Sequence, residues 1–276
     1  MSHAIKVKGD GRVRLDEIDA EGDSELNKEQ GRARLVKLRE ELEELQALLY
    51  AAGGQSLLVV LQGRDTSGKD GAIRGVFSGI NPQGCRVESF KVPSAEEASH
   101  DFLWRVHAKT PLKGMITIFN RSHYEDVLVV RVHNLVPEKR WKTRYDHINH
   151  FERLLIDNDT LVVKFYLHIT KDEQEERLLA REQEVEKAWK LSPGDWHERE
   201  HWKAYTEAYE EALQRCSTAD VPWYIVPANR KWLRDLAIAE TLVATLKPHR
   251  EQWLAQLEAM GKKAKDALAE MRTKTA

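Results

Sequence analysis

A chain of 276 residues with 41% hydrophobic and 32% charged residues suits one large α/β domain with appendages, well solvated and with enough apolar side chains for a core. Its formal net charge of −2 excludes a surface that binds polyanions globally, so any basic site must be local. The two cysteines, Cys85 and Cys216, lie far apart and in no C-x-x-C, which excludes a disulfide framework and suits a reducing compartment.

Met1 to Asp10 contain no apolar h-region, and no apolar run approaches transmembrane length. A cytoplasmic protein with no membrane partner is therefore expected. Residues 1–26 are polar, with glycine and aspartate, and read as an irregular N-terminal arm. From about Ser24 to Tyr50, Leu35, Leu38, Leu42, Leu45 and Leu49 recur at helical steps, and Gly53-Gly54 stops the helix. Leu57–Leu61 is a short continuous apolar run, which predicts a buried parallel strand.

That strand leads into Gly63-Arg64-Asp65-Thr66-Ser67-Gly68-Lys69-Asp70-Gly71, a G-x-x-x-x-G-K loop with a helix expected from about Gly71. Such a loop lets successive backbone N–H groups cradle phosphate oxygens, aided by the helix N-terminus, while Lys69 supplies a full charge. Asp70 replaces the usual Ser or Thr, and Asp65 is a second carboxylate inside the loop. These acids suggest a Mg²⁺ site built differently from that of a standard ATPase. The plain alternative is a glycine turn with a chance lysine.

Further strands are expected at Cys85–Phe90, Met115–Phe119, Thr160–Ile169 and Trp223–Val226, with helices at about 122–132, 138–157, 171–188, 195–215 and 229–246. Another helix opens at Ser94 with a capping box to Glu97. The alternation predicts a five-stranded parallel sheet flanked by helices. Met115–Phe119 runs into Asn120-Arg121-Ser122-His123-Tyr124-Glu125-Asp126, at the strand end where a P-loop fold places its second metal-side motif. Arg121 suits bidentate phosphate binding. Glu125 and Asp126 offer carboxylates, with Asp126 a third candidate Mg²⁺ ligand; otherwise the segment is a capped helix with solvent-facing charge. Residues 171–203 carry Arg177, Arg181, Lys187, Lys190, Arg199 and Lys203 among glutamates, either a lid over phosphates or a solvated helix. The charged tail at 248–276 is helix-prone and suited to pack on the domain at 27–247 or on another subunit.

Together with Trp189–Asp195 and Pro222–Ala228, these segments resemble the polyphosphate kinase family 2 over about residues 27–246. The resemblance implies a fold like that of thymidylate kinase, with Mg²⁺ (Mn²⁺ as a substitute) as cofactor. The implied activity is phosphoryl transfer between inorganic polyphosphate and AMP, ADP or ATP. It implies that Asp65 and Lys69 are catalytic, that Arg121 binds the transferring phosphate and that Glu125 marks nucleotide choice. Arg177, Lys187 and Lys190 would touch phosphates. Asn120 replaces an Asp found in many members, and the run Asn120–Asp126 is similar to the class that accepts both AMP and ADP. Lys69, Arg121, Arg131, Arg140 and Lys142 are candidate walls of a polyphosphate groove. A homo-oligomer, dimer or tetramer, is expected.

Three other readings stay open. One is an ATP-dependent nucleotide kinase on the same fold, and another is a phosphate-binding protein without catalysis. The third is a zinc hydrolase built on His197-Glu198-Arg199-Glu200-His201, a literal H-E-x-x-H; His147-x-x-His150 is weaker still. The eight tryptophans are scattered and form no aromatic-basic stripe, so nucleic-acid binding is not expected.

Overall fold

The computed structural model describes residues 2–9, 11–183 and 192–275. The described residues form a six-stranded sheet, one strand more than expected. The extra strand is β1 (Ile5–Lys6), which pairs antiparallel with β6 (Trp223–Pro227). The arm is therefore not wholly irregular. It closes the edge of β6 and sends Val7, Val13 and Leu15 into the core. The other strands are β2 (Ser56–Gly63), β3 (Cys85–Ser89), β4 (Ile116–Asn120) and β5 (Thr160–His168). The order is β1-β6-β5-β2-β4-β3, parallel except at β1.

Strand β2 is buried on both faces, and its alternation builds both cores. Leu57, Val59 and Leu61 face one layer; Leu58 and Val60 face the other. The first layer holds α1 (Lys28–Ala52), α2 (Lys69–Val76) and α10 (Lys231–Leu246), through residues such as Leu42, Val76 and Leu236. The second holds α6 (Glu138–Asp157) and α9 (Trp202–Arg215), through residues such as Ile148 and Leu213. Each fully buried leucine here contributes about 1.5–3 kcal/mol.

Helix α1 starts at Lys28, later than expected. Asn27 accepts from Gln30 N at 2.9 Å, and the Gln30 side chain accepts from Asn27 N at 3.0 Å. Ser94 and Glu97 form the anticipated capping box at the head of the short α3 (Ala95–Ser99), and α4 is Trp104–His107. The helix expected at 122–132 is instead a 3₁₀ turn, His123–Asp126, followed by α5 (Val129–Val132). Helix α7 is described as Lys171–Gln183, and the stretch expected as one helix at 195–215 is divided between α8 (Pro193–Glu200) and α9. The tail is helical, α11 (Arg250–Thr275); Trp253 is fully buried on the domain and donates to Gln55 at 2.9 Å, whereas residues 262–273 are exposed. No helix among the described residues is long and apolar enough to cross a membrane.

The crossovers leave β2 in opposite directions, to β3 and β4 on one side and to β5 and β6 on the other. The C-terminal ends of β2 and β4 therefore flank a topological switch point, where open α/β sheets bind ligands.

Candidate active site

The G-x-x-x-x-G-K loop joins β2 to α2, which opens at Lys69 itself. Gly68 has φ +97, and a Cβ there would fall 2.1 Å from a guanidinium nitrogen of Arg234, so only glycine lets the loop curl this tightly. Lys69 folds back over the loop and donates to the carbonyls of Gly63 at 2.7 Å and Arg64 at 3.1 Å. Burial, reinforced by the nearby Arg121 cation, lowers its pKa to about 8. Thr66 Oγ1 and Ser67 Oγ are buried without hydrogen-bond partners among the described residues, and of the two only Thr66 belongs to a residue that lines the polar cleft described below.

The end of β4 meets this loop. Arg121 N donates to Leu61 O at 3.0 Å, and Arg121 takes a left-handed backbone, φ +62. Its guanidinium reaches Asp65 at 2.5 Å and Glu125 at 3.5 Å. These carboxylates raise the pKa of Arg121 against the opposing effect of burial, so it remains a cation. Asn120 donates to Asp70 at 2.8 Å, so the asparagine is a partner of the loop acid. Glu125 does not cap the 3₁₀ turn; Ser122 Oγ does, accepting from Tyr124 N.

Two clefts meet at Arg121. A polar one of about 440 Å³ is lined by Asp65, Lys69, Asp70, Arg74, Lys91 and Arg181, among others. A second, of about 430 Å³, is walled by Phe90, Val92, Pro93, Val129, Val130 and Leu135, with Glu125 at its edge. Arg121, Phe90 and Lys91 border both.

Several expected site residues lie elsewhere. Asp126 pairs with Arg144 at 2.8 Å, borders the second cleft and does not line the polar one; burial pushes its pKa up to about 6 against the pull of Arg144. Arg64 donates to Trp202 O at 3.1 Å and stacks on that ring, 3.6 Å from its centroid, tying the loop to α9. Arg177 donates to the carbonyls of Thr66, Ala228 and Asn229, bracing the loop by its backbone. Arg131 pairs with Glu211 and, with Lys142, lines a separate cleft, while Arg140 lines another beside His147. Lys187 and Lys190 lie outside the described residues.

The zinc reading is not supported. Helix α8 ends at Glu200, His197 is exposed, and Glu198 binds His133 and Tyr205. Among the described residues no three His, Cys, Asp or Glu side chains form a metal-ligand cluster.

Residues 25–253 match the family model "Polyphosphate kinase 2 (PPK2)". The chain belongs to the polyphosphate kinase 2 family. It is 51% identical over 243 residues to the AMP/ADP-polyphosphate phosphotransferase of Meiothermus ruber, covering 87% of this chain and 91% of that protein. It is 48% identical over 219 residues to the ADP-polyphosphate phosphotransferase of Rhodopseudomonas palustris, covering 75% and 76%. The crystal structure of polyphosphate kinase 2 from Arthrobacter aurescens TC1 superposes with a TM-score of 0.84 at 40% identity, covering 88% of this chain and 87% of that one.

Arg74 and Lys91 are not among the residues the sequence motifs single out, and Arg181 belongs to the basic stretch at 171–203 with no expected site role, yet all three line the polar cleft. Signals for the first two were present. Arg74 follows Asp70 by four residues on α2, and Lys91 comes two residues after the C-terminal end of β3, beside the end of β4 that Arg121 follows.

Proposed function

We propose that this kinase transfers a phosphoryl group between inorganic polyphosphate and AMP or ADP, forming ADP or ATP. The meeting of a cation-lined cleft and an apolar cleft at Arg121 carries this reading. Polyphosphate lies in the polar cleft, where Lys69, Arg74, Lys91 and Arg181 neutralise it, and the nucleoside lies against the apolar wall. The reacting phosphorus then sits at their junction, under Lys69 and Arg121. Phosphoryl transfer needs alignment and charge neutralisation more than covalent chemistry, which suits this set of side chains.

Asp65 and Asp70 both line the polar cleft, and their carboxylates suit Mg²⁺, which is usually held by one or two carboxylates together with substrate phosphates and water. When bound there, the ion would supply charge neutralisation to phosphate oxygens, and Mn²⁺ is the expected substitute. Asp126, which lines the apolar cleft and not the polar one, is left out of this set. The relatives' names, which include AMP/ADP- and ADP-polyphosphate phosphotransferases, support the substrate pair. The exposed Met260 and Leu268 on α11 support a homo-oligomer, and the free thiols suit the cytoplasm.

Purified protein with Mg²⁺, polyphosphate and AMP or ADP, but no ATP, is expected to form ADP and ATP. Nucleotide phosphorylation with ATP as donor, and none with polyphosphate, would overturn the reading.

Nucleotide choice is assigned to Glu125, which borders the apolar cleft while paired with Arg121. Its charge tunes how Arg121 meets one acceptor phosphate or two. Glu125→Ala is expected to change the ratio of AMP to ADP phosphorylation about tenfold, about 1.4 kcal/mol of selectivity, with a small shift in melting temperature. An unchanged ratio with lowered stability would make Glu125 a structural partner of Arg121 alone.

A further inference from the structure

Lys164 lies in the middle of β5, yet its side chain points into the second core and is fully buried. An ammonium ion in an apolar interior is costly unless all its donors are engaged. Here they are: Lys164 Nζ donates to Glu152 at 2.6 Å, to the Tyr124 hydroxyl at 2.9 Å and to Cys216 O at 2.5 Å. The other Glu152 oxygen accepts from the Tyr124 hydroxyl at 2.7 Å and lies 3.3 Å from His123 Nε2. Burial lowers the pKa of His123 against the pull of Glu152, whose carboxylate can only accept from Nε2.

This network touches no substrate cleft, and the proposed chemistry does not use it. Its position gives it a purpose. His123 and Tyr124 are two of the three residues between Arg121 and Glu125, the third being Ser122. The same corner is tied to the loop strand, because Ser122 Oγ accepts from Gln62 at 3.1 Å and from Tyr124 N at 3.2 Å. Arg121, next in line, holds a left-handed backbone that residues with a Cβ disfavour and that persists only where its surroundings over-determine it. A buried ion pair is a weak source of stability, since well-packed apolar residues often serve the core as well. What it adds here is direction.

We propose that Lys164 and Glu152 are positioning residues, whose buried hydrogen-bond cage holds the Arg121–Glu125 corner so that Arg121 presents its guanidinium to the transferring phosphoryl group. This rests on the phosphotransferase reading above.

Three variants test it: Tyr124→Phe, Glu152→Gln and the apolar pair Lys164→Met/Glu152→Leu. A core variant on the opposite face, Leu42→Ala, controls for loss of stability. With polyphosphate and ADP, kcat is expected to fall about tenfold in each single variant and about 100-fold in the apolar pair, because small misplacements of a catalytic group carry penalties of this size. KM for ADP should change less than about threefold, and Leu42→Ala should keep kcat at temperatures where it is folded. Amide hydrogen exchange of the full chain should accelerate at residues 121–125 in the apolar pair and not in Leu42→Ala. Wild-type kcat in a folded apolar pair, or a loss no greater than that of Leu42→Ala, would overturn the proposal, as would unchanged exchange at the corner. Absence of transfer by the wild type would instead count against the phosphotransferase reading, with hydrogen exchange still deciding the structural claim.

Discussion

Lys69→Ala is expected to lower kcat by about three orders of magnitude while the protein stays folded. Charges aimed at a transferring phosphoryl group contribute about 10³–10⁵ in rate where they have been removed or supplied singly. Lys69 stands in that position, with its ammonium held at the loop mouth by the Gly63 and Arg64 carbonyls. Its loss should leave stability nearly unchanged. The cation is buried and repelled by Arg121, and the two carbonyls can turn to water. Steady-state kinetics beside a thermal melt check both halves, and a folded variant retaining more than about a tenth of wild-type kcat would remove Lys69 from the chemistry.

The same lysine sets a pH limb. Its pKa in the ligand-free protein is about 8, so the ammonium is present below that pH and lost as pH rises through it. The value of kcat/KM for polyphosphate should therefore fall above about pH 8. In the complex, phosphate anions favour the charged lysine, so the limb in kcat should lie higher. Lys69→Arg should move both limbs beyond the accessible range, since a guanidinium stays protonated there.

Arg121→Lys is expected to lower kcat about 100-fold with AMP and ADP alike. The Arg121 fork spans Asp65 on the loop and Glu125 on the 3₁₀ turn, at 2.5 and 3.5 Å. A lysine keeps the charge but is a single point on a flexible stem, unable to bridge two elements and present a planar donor pair to phosphate. Equal losses with both nucleotides would place Arg121 at the reacting phosphate. A loss confined to one nucleotide would make it a specificity residue, and a near-normal rate with both would reject the assignment.

The strand–loop–helix unit was legible because its information is local. Leu57–Leu61 reads as buried from its own apolar run, and the G-x-x-x-x-G-K spacing follows at once. The Ser94 capping box and the helix over 138–157 were legible for the same reason, as caps and periodicity act within a few residues. The sequence alone thus determined the fold class, the phosphate loop and the catalytic candidates at the ends of β2 and β4.

Tertiary structure decided which charges face the ligand. Arg177 and Arg181 stand four residues apart in the same basic stretch, yet Arg177 binds loop carbonyls and Arg181 lines the polar cleft, while Arg64 of the loop itself stacks on Trp202. Asp126 sits one residue from Glu125 and points to Arg144. The H-E-x-x-H run has the spacing of a zinc site, but α8 ends inside it. Strand β1 finds its partner more than 200 residues away, and Lys164 finds Glu152, Tyr124 and Cys216 on three different segments. These outcomes share one physical cause. A charged side chain goes where its desolvation is compensated, and the compensating partner is set by packing between elements distant in sequence, which no local period or spacing records.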